Sequence, residues 1–484
     1  MIKTPPDCGG AGFPGRGLFF LVFCGLLITY GYFVQSVENA QVVTRLGLTL
    51  SILEDRQLTI DKFEKYTKDK SPLNGHYYPD KPPGLSLLAL PSVALARAAV
   101  AVSGHDPASM APAGPTPAFR LYAYVATLGT VGVLTALAAV MLLRVALALG
   151  VGLEAALFGA LAFGLGTPAF GWATAFFGHA AAGALLFLAF GVALLAARSP
   201  MEMAPFARRL ALVGALLGLA VSVEIIAAVA GSAVGLYALA LAARRGGRRG
   251  ALTGAAALAL GGLIGLAPLL IYDTLAFGAP LATGYAAVVG FPGMNVGFFG
   301  ISLPDPAVVG ALLFGSYRGL LPLAPVLILA PFGLWLMVRA GLRSEAAVLL
   351  AVALGYLAIN GGYYYWDGGA ATGPRYLVPT LPFAGLALAF VWPAAGRLRP
   401  VCLALLLISV LHSLICASVD MFAIRPIASP LVDYLIPAFF AGHIRALITL
   451  TGLHGLPALI PLGLLWGLIG VRLAAAIRTS RTTP

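Results

Sequence analysis

Residues 74–84 read NGHYYPDKPPG, a polar stretch in a chain otherwise rich in Ala, Leu, Gly and Val. It gathers His76, Tyr77, Tyr78, Asp80 and Lys81 just ahead of a proline pair. Pro82 and Pro83 stiffen the backbone and make Lys81 extended. A lysine held on such a turn, at the foot of an apolar segment, is a compact point charge suited to a phosphate. The plainer alternative is a lysine snorkelling from a helix end. Tyr77 and Tyr78 suit an aromatic belt at a membrane interface.

Few other ionisable groups lie in apolar surroundings, so each is a candidate functional group. Glu38, in QSVENAQ, follows the first apolar run and could be a carboxylate held at the surface; Glu38 or Asn39 could equally cap a helix. His179 lies in TAFFGHAAAGALLF, where a satisfied core histidine is the alternative. Glu224, in GLAVSVEIIAAVAG, is costly unless it meets solvent, a cation or a substrate group. Arg318 lies in FGSYRGLLPL, and Arg375 follows YYYWDGGAATGP. Tyr363 to Tyr365, Trp366, Asp367 and Arg375 together suit a sugar ring or an isoprenoid phosphate, or else form an aromatic girdle with an Asp367–Arg375 bridge. Glu54, Asp55, Asp61, Glu64 and Asp69 read as the solvated face of a loop.

The elements that must position these groups are membrane helices. The chain has 484 residues, 60% hydrophobic and 10% charged, and a mean hydropathy of +0.94, which excludes an ordinary soluble domain. Runs such as LFFLVFCGLLITYGYFV and ALLLISVLHSLICASV approach the length that crosses a hydrocarbon core of roughly 30 Å. The first run follows Lys3 and Arg16 without a small-residue cleavage site and reads as a retained signal anchor. The formal charge of +12 is carried largely by short basic connectors, ARRGGRRG at 243–250 above all, so it points to cytoplasmic loops facing anionic lipid and not to nucleic acid. Cys8, Cys24, Cys402 and Cys416 form no CxxC pair, which predicts neither a disulfide framework nor a metal cluster.

Placing Arg144, residues 198–209, residues 243–250, Arg339, Arg343, residues 397–399 and the tail arginines inside fixes helix parity. The solution is an all-α bundle of about 11 to 13 crossings with both termini cytoplasmic. Expected spans are 17–34, 119–143, 150–171, 175–197, 209–223, 226–243, 251–272, 322–339, 345–361, 374–395, 401–418 and 445–471. Residues 17–34 are then the first span, 35–118 a long external loop, and 119–475 the rest of one integral domain with external loops near 273–321, 362–373 and 418–444. Within the long loop Val42, Leu46, Leu50 and Leu53 predict an amphipathic helix at the interface. Residues 82–102 are expected to lie on the outer surface or re-enter.

On SVENAQVVTRLGL, YYPDKPPGLSLLALP, TPAFGWATAFFGHAAAGALLFLAF, LLGLAVSVEI and GPRYLVPTLPF, the chain resembles the glycosyltransferase C (GT-C) superfamily. Within it the similarity is to polyprenyl-phosphate-sugar transferases of the protein O-mannosyltransferase and lipid A aminoarabinose transferase type. The family carries Asp after the first helix where this chain has Glu38–Asn39, and a later acid where it has His179. The resemblance implies transfer of a sugar from a polyprenyl phosphate to a hydroxyl, or an amine, of a glycan, lipid or protein acceptor. It implies a site on the periplasmic or outer face of a bacterial inner membrane and an inverted anomeric centre. Glu38 would be the base; Lys81 and Arg375 would stabilise phosphate charge; His179, Glu224 and Asp80 would orient the substrates, with Asn39, His76, Tyr78, Arg318, Trp366 and Asp367 as further binding residues. No cofactor is expected to be required, although a weak divalent cation site near Glu38 is allowed for. The rival readings are a lipid or oligosaccharide flippase, which predicts internal repeats and a charged central path, and a noncatalytic polysaccharide-assembly partner.

Overall fold

A computed structural model describes residues 15–423 and 427–482. Lys3 and Cys8 lie outside the described residues. Among those described, eight helices are long and apolar enough to cross a membrane, and the fold is an all-α polytopic bundle. Each span expected from the sequence contains helix, though several are short: Arg16–Tyr32, Leu153–Leu165 and Ala330–Arg339 run for 17, 13 and 10 residues. The longest, Ala227–Phe277, is two helices meeting at Gly246 and Gly247, where φ/ψ leave the helical region. Glycine permits the φ of +57° at Gly247, and the flanking arginine pairs keep this turn polar. The inside placement expected for that turn from its arginines predicts a labelling result. A cysteine introduced at Gly247 is expected to be protected from a membrane-impermeant thiol reagent in right-side-out vesicles, and one at Asn74 labelled; the reverse pattern inverts the proposed orientation.

Helix Met203–Val223 packs against the second half of Ala227–Phe277 through small residues spaced four apart on both sides. A Cβ at Gly214 would lie 2.2 Å from Leu258 O and one at Gly218 2.3 Å from Gly262 O. Cβ atoms at Gly261 and Gly265 would lie 1.9 and 2.1 Å from the carbonyls of Ala211 and Ala215. Without a hydrophobic force between helices in lipid, such backbone approach is what holds them together. The contact fixes the end of Met203–Val223, and with it Glu224.

Residues 35–118 fold against one end of the bundle. Asn39 caps helix Ala40–Asp55, its side chain accepting from Gln41 N at 3.0 Å. This helix was expected to lie at the interface with one face wet. Instead every residue from 41 to 51 is buried, because the following 3₁₀ turn, hairpin and helices cover its outer side. The hairpin pairs Lys70–Leu73 with His76–Pro79 around Asn74–Gly75, whose φ values of +52° and +82° are those of a two-residue hairpin turn. Residues 84–102 form helices Gly84–Leu88 and Leu90–Val102, each shorter than the roughly 20 residues a crossing needs. The polar residues after the hairpin are thereby wedged between the loop and the bundle.

Candidate functional site

Lys81 lies at that wedge. Its ammonium is 2.5 Å from Asp80 Oδ2 and 3.6 Å from Asp69 Oδ2, with all three side chains nearly out of solvent. One cation is thus shared by two carboxylates. Burial pushes Asp80 up to about 6 although Lys81 pulls it down, and the nearby charge of Asp69 adds to the rise. Burial would lower Lys81, but Asp69 and Asp80 outweigh it and carry the ammonium above its usual range. Lys81 therefore stays charged at physiological pH. The rings of Tyr285 and Phe291 lie 5.6 and 5.5 Å from its Nζ, close enough for cation–π attraction.

The hairpin register explains the second acid. Leu73 faces His76 and Lys70 faces Pro79, so one step further along the ladder Asp69 comes beside Asp80. Asp69, read from sequence as part of a solvated face, is 3% exposed, and Thr44 donates to its carbonyl at 2.6 Å. Among the other loop acids, Glu54 is partly buried and paired with Lys62 and Arg97.

Beneath Lys81 lies a second ion pair. Arg45, on the buried helix, donates from Nη2 to Glu224 Oε1 at 2.6 Å, and its Nη1 reaches the carbonyls of Pro82 and Val223 at 3.4 Å each. Arg45 thus answers what the carboxylate of Glu224 meets: a cation, supplied by the first loop. His179 Nδ1 is 3.7 Å from the same oxygen, and neither ring nitrogen makes a hydrogen bond among the described residues. The approach of His179's helix depends on Gly178, where a Cβ would stand 2.1 Å from Glu224 Oε1.

Arg375 comes from the bundle side. Its Nη2 donates to Tyr376 OH at 3.0 Å, while Nε is buried without a partner among the described residues. The guanidinium lies over the rings of Phe177 and Tyr376, and Tyr376 in turn meets His179 edge-on at 5.2 Å between centroids. Gly368 lets Arg375 pass, since a Cβ there would lie 2.8 Å from Arg375 Nε.

Asp80, Lys81, His179, Glu224 and Arg375 therefore converge, with Arg45 and Asp69 added. The remaining sequence candidates lie apart from this cluster. Glu38 is exposed beyond the N-terminus of helix Ala40–Asp55, its backbone N–H donating to Ser36 at 3.3 Å. Asn39 serves as the cap. His76 is exposed and pairs with Asp61 at 2.7 Å; hydrogen bonds from Tyr77 N–H and His76 hold Asp61 below its usual value against the opposing effect of burial. Tyr78 packs on Phe277 with centroids 5.4 Å apart. Arg318 is buried, donating to the carbonyls of Asp367 and Gly369 at 2.9 and 2.7 Å. Tyr317 OH donates to Asp367 Oδ2 at 3.3 Å, so Arg318 and Asp367 shape the 367–369 turn, and Trp366 is partly buried beside it.

The last glycine of the opening motif ties the loop to the bundle. A Cβ at Gly84 would fall 2.4 Å from the carbonyl carbon of Ser222, two residues before Glu224. Gly84→Ala must push backbone from backbone, and a loss of about 1–3 kcal/mol is expected, the usual cost of overpacking. Thermal unfolding in detergent checks this; a wild-type midpoint would show that the loop is not pinned here.

A polytopic bundle whose first long loop wedges a buried lysine and two acids against helix ends has a GT-C-like fold. The chain is similar to the crystal structure of ArnT from Cupriavidus metallidurans bound to undecaprenyl phosphate, with TM-score 0.50 and 17% identity over 81% of this chain and 61% of that one. The apo structure of the same protein gives TM-score 0.48 and 18% identity over the same shares. The archaeal oligosaccharyltransferase AglB from Archaeoglobus fulgidus, in complex with an inhibitory peptide and a dolichol-phosphate, gives 0.48 and 12%, covering 82% of this chain and 55% of that one. The chain thus spans about three fifths of the ArnT chain. No family model matches the sequence, and no curated protein matches it.

Proposed function

We propose that the protein transfers a sugar from a polyprenyl-phosphate donor to a hydroxyl or amine acceptor at the membrane surface. The observation that carries this reading is the buried ammonium of Lys81, set on the Pro82–Pro83 turn where the first loop meets the bundle and paired with Asp69 and Asp80. A cation kept there has an evident use in meeting a lipid phosphate. The likeness in fold to ArnT, whose structure holds undecaprenyl phosphate, supports a donor of that class.

A phosphate leaving group needs charge neutralisation, positioning and a base. Lys81 and Arg375 neutralise; His179 orients; the Arg45–Glu224 pair holds His179 and the Lys81 turn in register. Asp69, Asp80 and Glu224 are each committed to a cation, and a proton taken up by any of them would break that ion pair. Glu38 is in no ion pair among the described residues. Ser36 and Val37, just before it, line a shallow cleft with Gln35, Arg120, Tyr124 and Thr174, and the acceptor is proposed to approach from that side. Glu38 is therefore our candidate base, and in-line attack would invert the anomeric carbon.

Purified protein, given a radiolabelled polyprenyl-phosphate sugar and a crude envelope extract as acceptor source, is expected to move label from lipid to acceptor. Label translocated across a vesicle without leaving the lipid would favour a flippase. Binding without either event would favour a noncatalytic assembly partner.

A further inference from the structure

Beside Lys81, residues 79–82, the last turns of the helix ending at Phe277, and residues 283–285 enclose a narrow cleft. Gly284 sits where a Cβ would be 2.6 Å from Pro79 O and 2.9 Å from Asp80 Cα, and Ser71 donates to the Gly284 carbonyl at 2.5 Å. These contacts clamp the 283–285 segment onto the hairpin and the Lys81 turn. The space left between them takes about one water molecule and nothing larger. Tyr272, Asp273 and Asp80 all line it, and they are only 4%, 2% and 1% exposed. Each has one oxygen without a hydrogen-bond partner among the described residues: the Tyr272 hydroxyl, Asp273 Oδ2 and Asp80 Oδ1. A buried polar atom left unpaired costs stability, so three around one cleft require an explanation.

Building on the donor-phosphate role proposed for Lys81, we infer that one ordered water occupies this cleft and joins Tyr272 and Asp273 to the free oxygen of Asp80, which makes those two bundle residues positioning residues for the Lys81 ammonium. A buried water needs a polar site of its own size with two to four hydrogen-bonding partners, and the cleft supplies three. The water accepts from the Tyr272 hydroxyl and spends its own protons on Asp80 Oδ1 and Asp273 Oδ2. Burial carries Asp80 up to about 6, but the site does not depend on an ionised acid. A protonated carboxyl donates where an ionised one accepts, and a water answers both. A metal ion would need both acids ionised and would stand beside an ammonium, so water is the better fit. The consequence falls on Lys81. Asp80 Oδ2 meets its ammonium at 2.5 Å, and a tether from the other oxygen to the helix end fixes the plane of the carboxyl group. The bundle thereby sets where the first loop presents its cation.

The test pairs a structure with binding, both on the full chain in nanodiscs. A map that resolves ordered water is expected to show one water within hydrogen-bonding distance of the Tyr272 hydroxyl, Asp80 Oδ1 and Asp273 Oδ2. Tyr272→Phe and Asp273→Leu should each weaken binding of undecaprenyl phosphate roughly threefold to tenfold, the net worth of about one hydrogen bond, with unfolding midpoints without lipid close to wild type. Asp273→Asn still offers the water a partner and should recover most of the affinity lost in Asp273→Leu. A cleft without the water, or Tyr272→Phe and Asp273→Leu both binding like wild type, overturns this inference and leaves the donor reading standing. An affinity that falls only in step with the unfolding midpoint, in Asp273→Asn as much as in Asp273→Leu, makes the two residues merely structural and overturns the positioning role. Failure of wild type to bind undecaprenyl phosphate overturns the donor reading and that role with it.

Discussion

Lys81→Met is expected to abolish saturable binding of undecaprenyl phosphate and to lower turnover by roughly 100- to 1,000-fold, the range for loss of one preorganised group facing developing charge. It also leaves Asp69 and Asp80 buried without their shared cation. Breaking a buried pair from one side costs about 3–5 kcal/mol, so the single variant alone would confuse loss of function with loss of fold. Lys81→Met/Asp80→Asn removes one of the two carboxylates together with the ammonium. Its unfolding midpoint should recover much of the way toward wild type, because the remaining Asp69 no longer shares its site with a second charge. Its binding and turnover should stay as low as those of Lys81→Met. Lys81→Arg keeps the charge but spreads it over a planar fork that the turn was not shaped for, and should retain part of the activity. A double variant that folds and still binds the lipid phosphate at wild-type affinity would reduce Lys81 to a structural counterion and remove the main support for the proposed function.

The parts of this site that were legible in the sequence share a physical reason. Apolar runs near the length of a bilayer read as helices whatever their partners, and Pro82–Pro83 fixes Lys81 by local sterics alone. His179, Glu224 and Arg375 stood out because charge in apolar surroundings demands compensation. Arg45 did not stand out, although it compensates Glu224, because its helix reads as a one-faced amphipathic segment and its partner lies 179 residues away. No local pattern reports what will cover the outer face of a helix. Asp69 was within reach. Asn74–Gly75 is a strong signal for a two-residue hairpin turn, and that register alone places residue 69 opposite residue 80, so the acid pair around Lys81 followed from counting outward from the turn. The paired small-residue spacings GALLG at 214–218 and GGLIG at 261–265 were likewise present as an association signal, and they decide where Glu224 ends up.

The same reasoning makes Glu38 the most exposed part of the proposed mechanism. A base must be free of a counterion, reachable by the acceptor and near the leaving bond in the working complex. Glu38 meets the first condition in the structure, and its exposed place between the first helix and helix Ala40–Asp55 meets the second. The third requires the donor's sugar, carried by the phosphate at Lys81, to present its anomeric carbon toward the start of helix Ala40–Asp55, with Asp69 as a competitor for the role. Asp69, however, shares the Lys81 ammonium, and taking up a proton there would weaken the cation that faces the phosphate at the moment its charge develops. Glu38→Gln is therefore expected to cut the single-turnover rate at saturating donor by about 100-fold or more, the contribution typical of a general base, with lipid-phosphate affinity unchanged. Glu38→Asp should keep part of the rate, since only the reach of the carboxylate changes. Asp69→Asn should instead act on donor binding, by altering the charge balance at Lys81, with a smaller effect on the rate once donor is saturating. His179→Ala and Glu224→Gln complete the set as tests of positioning, and both should change donor affinity together with rate. Should Glu38→Gln turn over like wild type while Asp69→Asn is inactive at saturating donor, the proton goes to the hairpin acid. The acceptor would then have to enter between the hairpin and the bundle, and not through the cleft beside the first helix.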